Sequence, residues 1–100
     1  MSASFRLTLD AEAQLLEILD HLAADNEEAA RRLKDALLSA VSHLADMPEM
    51  GHRREDLTAR RVKFWSVYQY LVVYDPAASP LTVIAVLHGA RDVGQILRDP

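Results

Sequence analysis

One hundred residues, half of them apolar, suffice for one hydrophobic core, so a single domain over residues 1–100 is expected. The absence of cysteine excludes disulfide-stapled scaffolds and thiolate chemistry. The start has no basic n-region and no long apolar run follows, so neither a signal peptide nor a membrane span is expected, and a cytoplasmic home fits.

The net charge of −4 argues against non-specific binding to duplex nucleic acid. Its distribution is uneven. Residues 1–50 carry four bases against ten acids, residues 51–100 seven bases against five acids, and the bases cluster at Arg53, Arg54, Arg60, Arg61 and Lys63. A basic face on an acidic body suggests one oriented binding surface.

Phe5–Leu9 alternates apolar and polar residues, which predicts a short strand with Phe5, Leu7 and Leu9 facing inward. Asp10 is placed to cap a helix over about 11–24, whose apolar stripe is Leu15, Leu16, Ile18, Leu19 and Leu22. Asn26 is a good cap for a second helix, with Glu27 and Glu28 in its first turn. Ala29, Leu33, Ala36, Leu37, Ala40, Val41 and Leu44 then recur at helical spacing until Pro48. So short a link predicts an antiparallel hairpin.

Residues 47–59 read as a polar loop with a helical turn near Glu55–Leu57. Strand character returns at Arg60–Phe64, and Trp65–Val67 reads either as a tight turn or as its continuation. Tyr68–Tyr74 is aromatic and β-branched, so a strand is expected, with Tyr68, Tyr70, Val72 and Tyr74 on one face. Residues 75–80 form a loop. Leu81–His88 is almost wholly apolar and should be central in the sheet. Val93–Leu97 has the pattern of a short final helical turn. The resulting class is α+β, in the order β-α-α-β-β-β, with the helical hairpin on one face of a small, mostly antiparallel sheet and the other face open to solvent or a partner.

His21, His43, His52 and His88 are scattered, so no metal site is expected; no phosphate-cradling glycine loop or nucleophile elbow indicates a cofactor or serine chemistry. RNA cleavage needs a base, an acid and cations at the phosphate, roles open to His88, Arg91, Arg61 and Lys63. Trp65, Tyr68 or Tyr70 can stack a base. Exposed basic residues on strands are equally well explained as solvating side chains.

Taken together, Phe5-Arg6-Leu7-Thr8, Ala11, the two helices, Pro48-x-x-Gly51 with Arg53 behind it, Arg61, Tyr68-x-Tyr70-x-Val72-x-Tyr74 and the string His88-Gly89-Ala90-Arg91-Asp92 resemble the ParE/RelE superfamily of type II toxin–antitoxin toxins. The resemblance covers nearly the whole chain. It implies the RelE-like fold, growth inhibition and plasmid stabilisation, and a ParD-like cognate antitoxin whose tail folds on the toxin. It also implies hetero-oligomers that reach operator DNA only through the antitoxin. The chain looks closer to the ParE branch, whose members inhibit DNA gyrase, than to RelE-like mRNA endonucleases. The histidine-to-aspartate string is common in ParE, the charge is acidic, and Val93, Gln95 and Ile96 stand where RNase members carry a catalytic tyrosine. On this reading the chain is an inhibitor rather than an enzyme, and the expected partner-binding residues are Arg53, Arg54, Arg60, Arg61, Trp65, Tyr68, Tyr70, Arg91 and Ile96. Ribosome-dependent cleavage by His88, Arg91, Arg61 and Lys63, or antitoxin binding without toxicity, are the alternatives.

Overall fold

The computed structural model describes residues 4–89. Strand β1 (Phe5–Leu7) leads into helices α1 (Leu9–Asp25) and α2 (Glu27–Asp46). A short 3-10 helix, η1 (Pro48–Met50), follows, and then strands β2 (Lys63–Val67), β3 (Tyr70–Asp75) and β4 (Leu81–His88). The sheet order is β1-β4-β3-β2, with β1 parallel to β4 and the other pairs antiparallel. The expected element order, hairpin and central β4 are all present. The expected turn near Glu55–Leu57 is closed by the Leu57 and Thr58 N–H groups on the Arg54 carbonyl. The segment Val93–Leu97 lies outside the described residues.

β1 ends two residues earlier than its alternation suggests, because Thr8 has two backbone tasks. Its N–H donates to the Val83 carbonyl (3.0 Å), finishing the parallel ladder. Its hydroxyl accepts from Ala11 N–H (3.1 Å), so Thr8, not Asp10, caps α1. Leu9 is therefore the first helical residue and points to solvent, 85% exposed, rather than into the core. Leu16 also leaves the expected stripe, at 54% exposure, while Leu15, Ile18, Leu19 and Leu22 pack on the core. Asn26 alone joins the helices. Its N–H closes α1 on the Leu22 carbonyl, and its side chain caps α2 by accepting from Ala29 N–H. α2 buries Ala30, Leu33, Leu37, Val41, Leu44 and Ala45.

β4 has an irregular register. Val73 pairs with Ala85 but Tyr74 with Val83, so Ile84 is an extra residue on β4. The bulge turns Leu81, Val83 and Val86 all toward the helices, where they join Val72 and Tyr74. Beyond the short β1, helix α1 serves the edge of β4. The Thr8 hydroxyl donates to the Ile84 carbonyl (3.4 Å), and Gln14 Oε1 accepts from Val86 N–H (2.9 Å).

The face away from the helices is not open, contrary to the expectation. Phe64, Leu71, Val73, Ala85 and Leu87 are buried there with Val62, and Leu57 packs against them. The connection between η1 and β2 supplies Leu57 and Val62, so alternating apolar residues are buried on both faces. β2 is Lys63–Val67 rather than Arg60–Phe64, so Trp65–Val67 continues the strand. Tyr68 leaves β3 altogether. Val67 pairs with Tyr70, and Tyr68 and Gln69 form a two-residue connection with Tyr68 at φ 55.

Tyr74 is fully buried in β3. Its hydroxyl donates to the Pro48 carbonyl (2.6 Å) and accepts from Gly51 N–H (2.9 Å), clamping η1 onto the sheet. Gly51 has an ordinary φ of −73, so conformational freedom does not explain it. Space does: a Cβ there would overlap the Tyr74 hydroxyl and lie 2.8 Å from Cε1. Burial pushes the Tyr74 phenol above its ordinary value, as does the nearby Glu49 charge, while the Gly51 donor opposes them.

Tyr74→Phe leaves the Pro48 carbonyl and Gly51 N–H without their partner and should lower stability by about 1–3 kcal/mol in urea unfolding. Gly51→Ala should cost at least as much, because the ring must move. The clamp also sets a pH dependence. A raised phenol contributes stability that is fully present below about pH 10, where unfolded tyrosine titrates, and lost as pH rises through the folded value. The urea midpoint of the parent chain should therefore fall more steeply above pH 10 than that of Tyr74→Phe; parallel curves would refute the coupling.

Candidate functional site

The basic cluster is assembled at the end of the sheet that the clamp fixes. An open groove of about 460 Å³ is lined by Arg53, Arg61 and Lys63 with Glu49, Asp75 and Pro76. Lys63 is its positioned cation: its side chain is only 15% exposed, and Nζ lies 3.6 Å from Glu49 and donates to the Gly51 carbonyl at 3.4 Å. Among the described residues Arg53 makes one long ion-pair contact, with Glu55 at 3.9 Å. Arg61 is exposed and makes no ion pair among the described residues.

Arg54 and Arg60 do not line this groove. Arg54 forms a two-point pair with Asp56, Nε to one carboxylate oxygen and Nη2 to the other, both at 3.0 Å. That hydrogen-bonded pairing holds the Asp56 carboxyl below its ordinary value. Arg60 is exposed in the bend before β2, where its N–H is held by the Thr58 hydroxyl. Four of the five clustered bases therefore sit on one loop, but only Arg53 and Arg61 of those four face the groove with Lys63.

The aromatic candidates separate. Trp65 is half-buried, and His52 stacks on it with centroids 6.1 Å apart and planes 14° apart. His52 also closes the outer edge of β2 by exchanging backbone hydrogen bonds with Phe64. Tyr70 is buried in the helix-facing core and packs against His88 at 5.1 Å. Tyr68 is 66% exposed at the β2–β3 connection. A left-handed backbone costs a side-chain-bearing residue about 1–2 kcal/mol, so Tyr68 occupies a position that glycine would fill with less strain.

The described members of the RNase constellation, Arg61, Lys63 and His88, are not brought together. Lys63 is opposite Tyr74 and His88 opposite Tyr70. Four residues along β3 separate them by roughly 13 Å. His88 instead shares a groove with Glu17, Ile18, His21 and Tyr70. Arg91 and Ile96 lie outside the described residues. Among the described residues, no group of three or more His, Asp or Glu side chains could hold a metal, and no helix is long and apolar enough to cross a membrane.

A smaller groove was missed by sequence reasoning. It lies between the Asn26 junction and the β2–β3 connection, measures about 220 Å³, and is lined by Leu22, Ala29, Arg32, Leu33 and residues 68–70. Arg32 looked like one more solvated helix residue, and only the turn at Tyr68 brings the two together. The partner of Tyr74 was missed as well, although a buried phenol always requires one.

A family model for the ParE toxin of type II toxin-antitoxin system, parDE, matches residues 5–93. A solved chain from the chromosomal ParDE TA system of P. aeruginosa superposes with a TM-score of 0.72, at 16% identity, over 88% of this chain and 97% of that chain. At that identity the likeness speaks for the fold. No curated protein matches the sequence.

Proposed function

This chain belongs to the ParE toxin family of type II toxin–antitoxin systems, and from that premise we propose that it inhibits DNA gyrase and is neutralised by a cognate ParD-like antitoxin. The observation that carries the reading is the separation of His88 from Lys63 and Arg61. General acid–base cleavage requires its groups within hydrogen-bond reach of one phosphate, whereas here they line different grooves at opposite ends of β3. Inhibition by binding needs no such assembly. The ribosome-dependent endonuclease reading has correspondingly less support.

We place antitoxin contact on the basic loop, Arg53, Arg54, Arg60 and Arg61, with Trp65, Tyr68 and Tyr70, and target contact on the C-terminal segment with Arg91 and Ile96. Arg61, without an ion pair among the described residues, and loosely paired Arg53 support the first assignment, since they offer charge to an acidic tail without first breaking a strong pair. Residues 1–100 make one toxin domain that acts in the cytoplasm. It assembles with antitoxin into a hetero-oligomer and reaches operator DNA only through that complex.

Purified chain added to gyrase and relaxed plasmid should abolish supercoiling, and prior addition of antitoxin should restore it. Unchanged supercoiling at large molar excess would overturn the target assignment; codon-specific mRNA cleavage in a translation extract would replace it. Reversing both Arg53 and Arg61 to glutamate should slow antitoxin association by about tenfold or more at low salt and by much less at high salt, measured by stopped flow.

A further inference from the structure

We propose that the groove between the Asn26 junction and the β2–β3 connection anchors a peptide: it takes one apolar side chain of a partner segment and pairs a neighbouring carboxylate with Arg32. The inference deepens, and rests on, the reading that the chain has an antitoxin partner.

Size selects the class of occupant. At about 220 Å³ the groove is below the range of sites for whole cofactors or drug-sized molecules, but it has room for a large side chain. Leu22, Ala29, Leu33 and Tyr70 give it an apolar lining, which suits an aliphatic or aromatic group. A nucleic acid would need several cations here, and among the described residues the lining has one. That cation, Arg32, is exposed and, among the described residues, makes no ion pair and is the single charged residue of the lining. Charge complementarity therefore calls for a carboxylate close to the apolar anchor, with the two-point geometry a guanidinium prefers.

Tyr68 supplies the wall. Its ring is largely exposed, so it adds little to the core, and its backbone holds φ 55. Only the first of the two connecting residues has positive φ, the sign pattern of a type II′ turn, which favours glycine at that place. An observed strain of this kind at a groove is a reason to look for a binding role, and exposed aromatics with arginines are the side chains that dominate interfaces.

Calorimetry on the full chain with the full antitoxin encoded beside it provides the test, using Tyr68→Gly and Arg32→Glu. Each substitution should weaken binding by about tenfold or more. In the free protein, Tyr68→Gly should raise the unfolding temperature, because glycine relieves the turn; that rise separates lost contact from lost fold. Tight binding by the parent chain with unchanged affinity in both variants would overturn the anchor while leaving the partner intact. No binding by the parent chain would instead overturn the partner reading. An unfolding temperature that stays level or falls in Tyr68→Gly would remove the strain argument. Self-association of the free parent chain abolished by Tyr68→Gly would assign the groove to a second copy, against the proposal.

Discussion

The Tyr74 hydroxyl holds together parts of the molecule that the chain alone would leave apart. It sits on β3, in the middle of the sheet, yet its two hydrogen bonds go to Pro48 and Gly51 at the exit of α2. A buried phenol must satisfy its hydroxyl, and a backbone turn must satisfy its carbonyl and N–H; here each solves the other's problem. With η1 fixed, Glu49 and the Gly51 carbonyl are in place to hold Lys63, and His52 is in place to cover the edge of β2. The basic groove therefore depends on a side chain that does not line it.

The second constraint is the double-sided burial of a four-stranded sheet. Two helices cover one face, and the long connection after η1 covers part of the other with Leu57 and Val62. That connection carries Arg53, Arg54, Arg60 and Arg61 at its surface while its apolar residues are committed below. Loops that pack by their own side chains are suited to presenting binding residues on a rigid base. The positive charge is thus displayed by the covering loop, with Lys63 at the strand edge, rather than by an open sheet face.

A groove lies at each end of β3. Cations gather where Tyr74 is clamped, and an apolar groove with one arginine lies near the turn that precedes Tyr70. An acidic, partly apolar segment long enough to span the strand would find charge at one end and an anchor at the other. Such a two-point arrangement suits a tail that folds as it binds. His88 lies at the Tyr70 end of β3 in a groove of its own, so it does not converge with Arg61 and Lys63 at the Tyr74 end.

Much of the fold was legible in the sequence. The periodicity of α2, the Asn26 cap, the short hairpin link and the bounds of β4 are local signals, written within a few residues and read from spacing and propensity. The basic cluster was legible as composition. Other features were not, because each is decided by a partner distant in the chain. Leu9 leaves the core because Thr8 ends the ladder on Val83, and Val83 and Val86 face the same way because β4 carries Ile84 as an extra residue where it pairs with Val73 and Tyr74 of β3. Local sequence thus determined which segments become helix or strand and where charge accumulates. Register, the covered second face and the meeting of Arg32 with Tyr68 were decided only in three dimensions, since hydrogen-bond satisfaction and packing are properties of pairs of segments, not of either one.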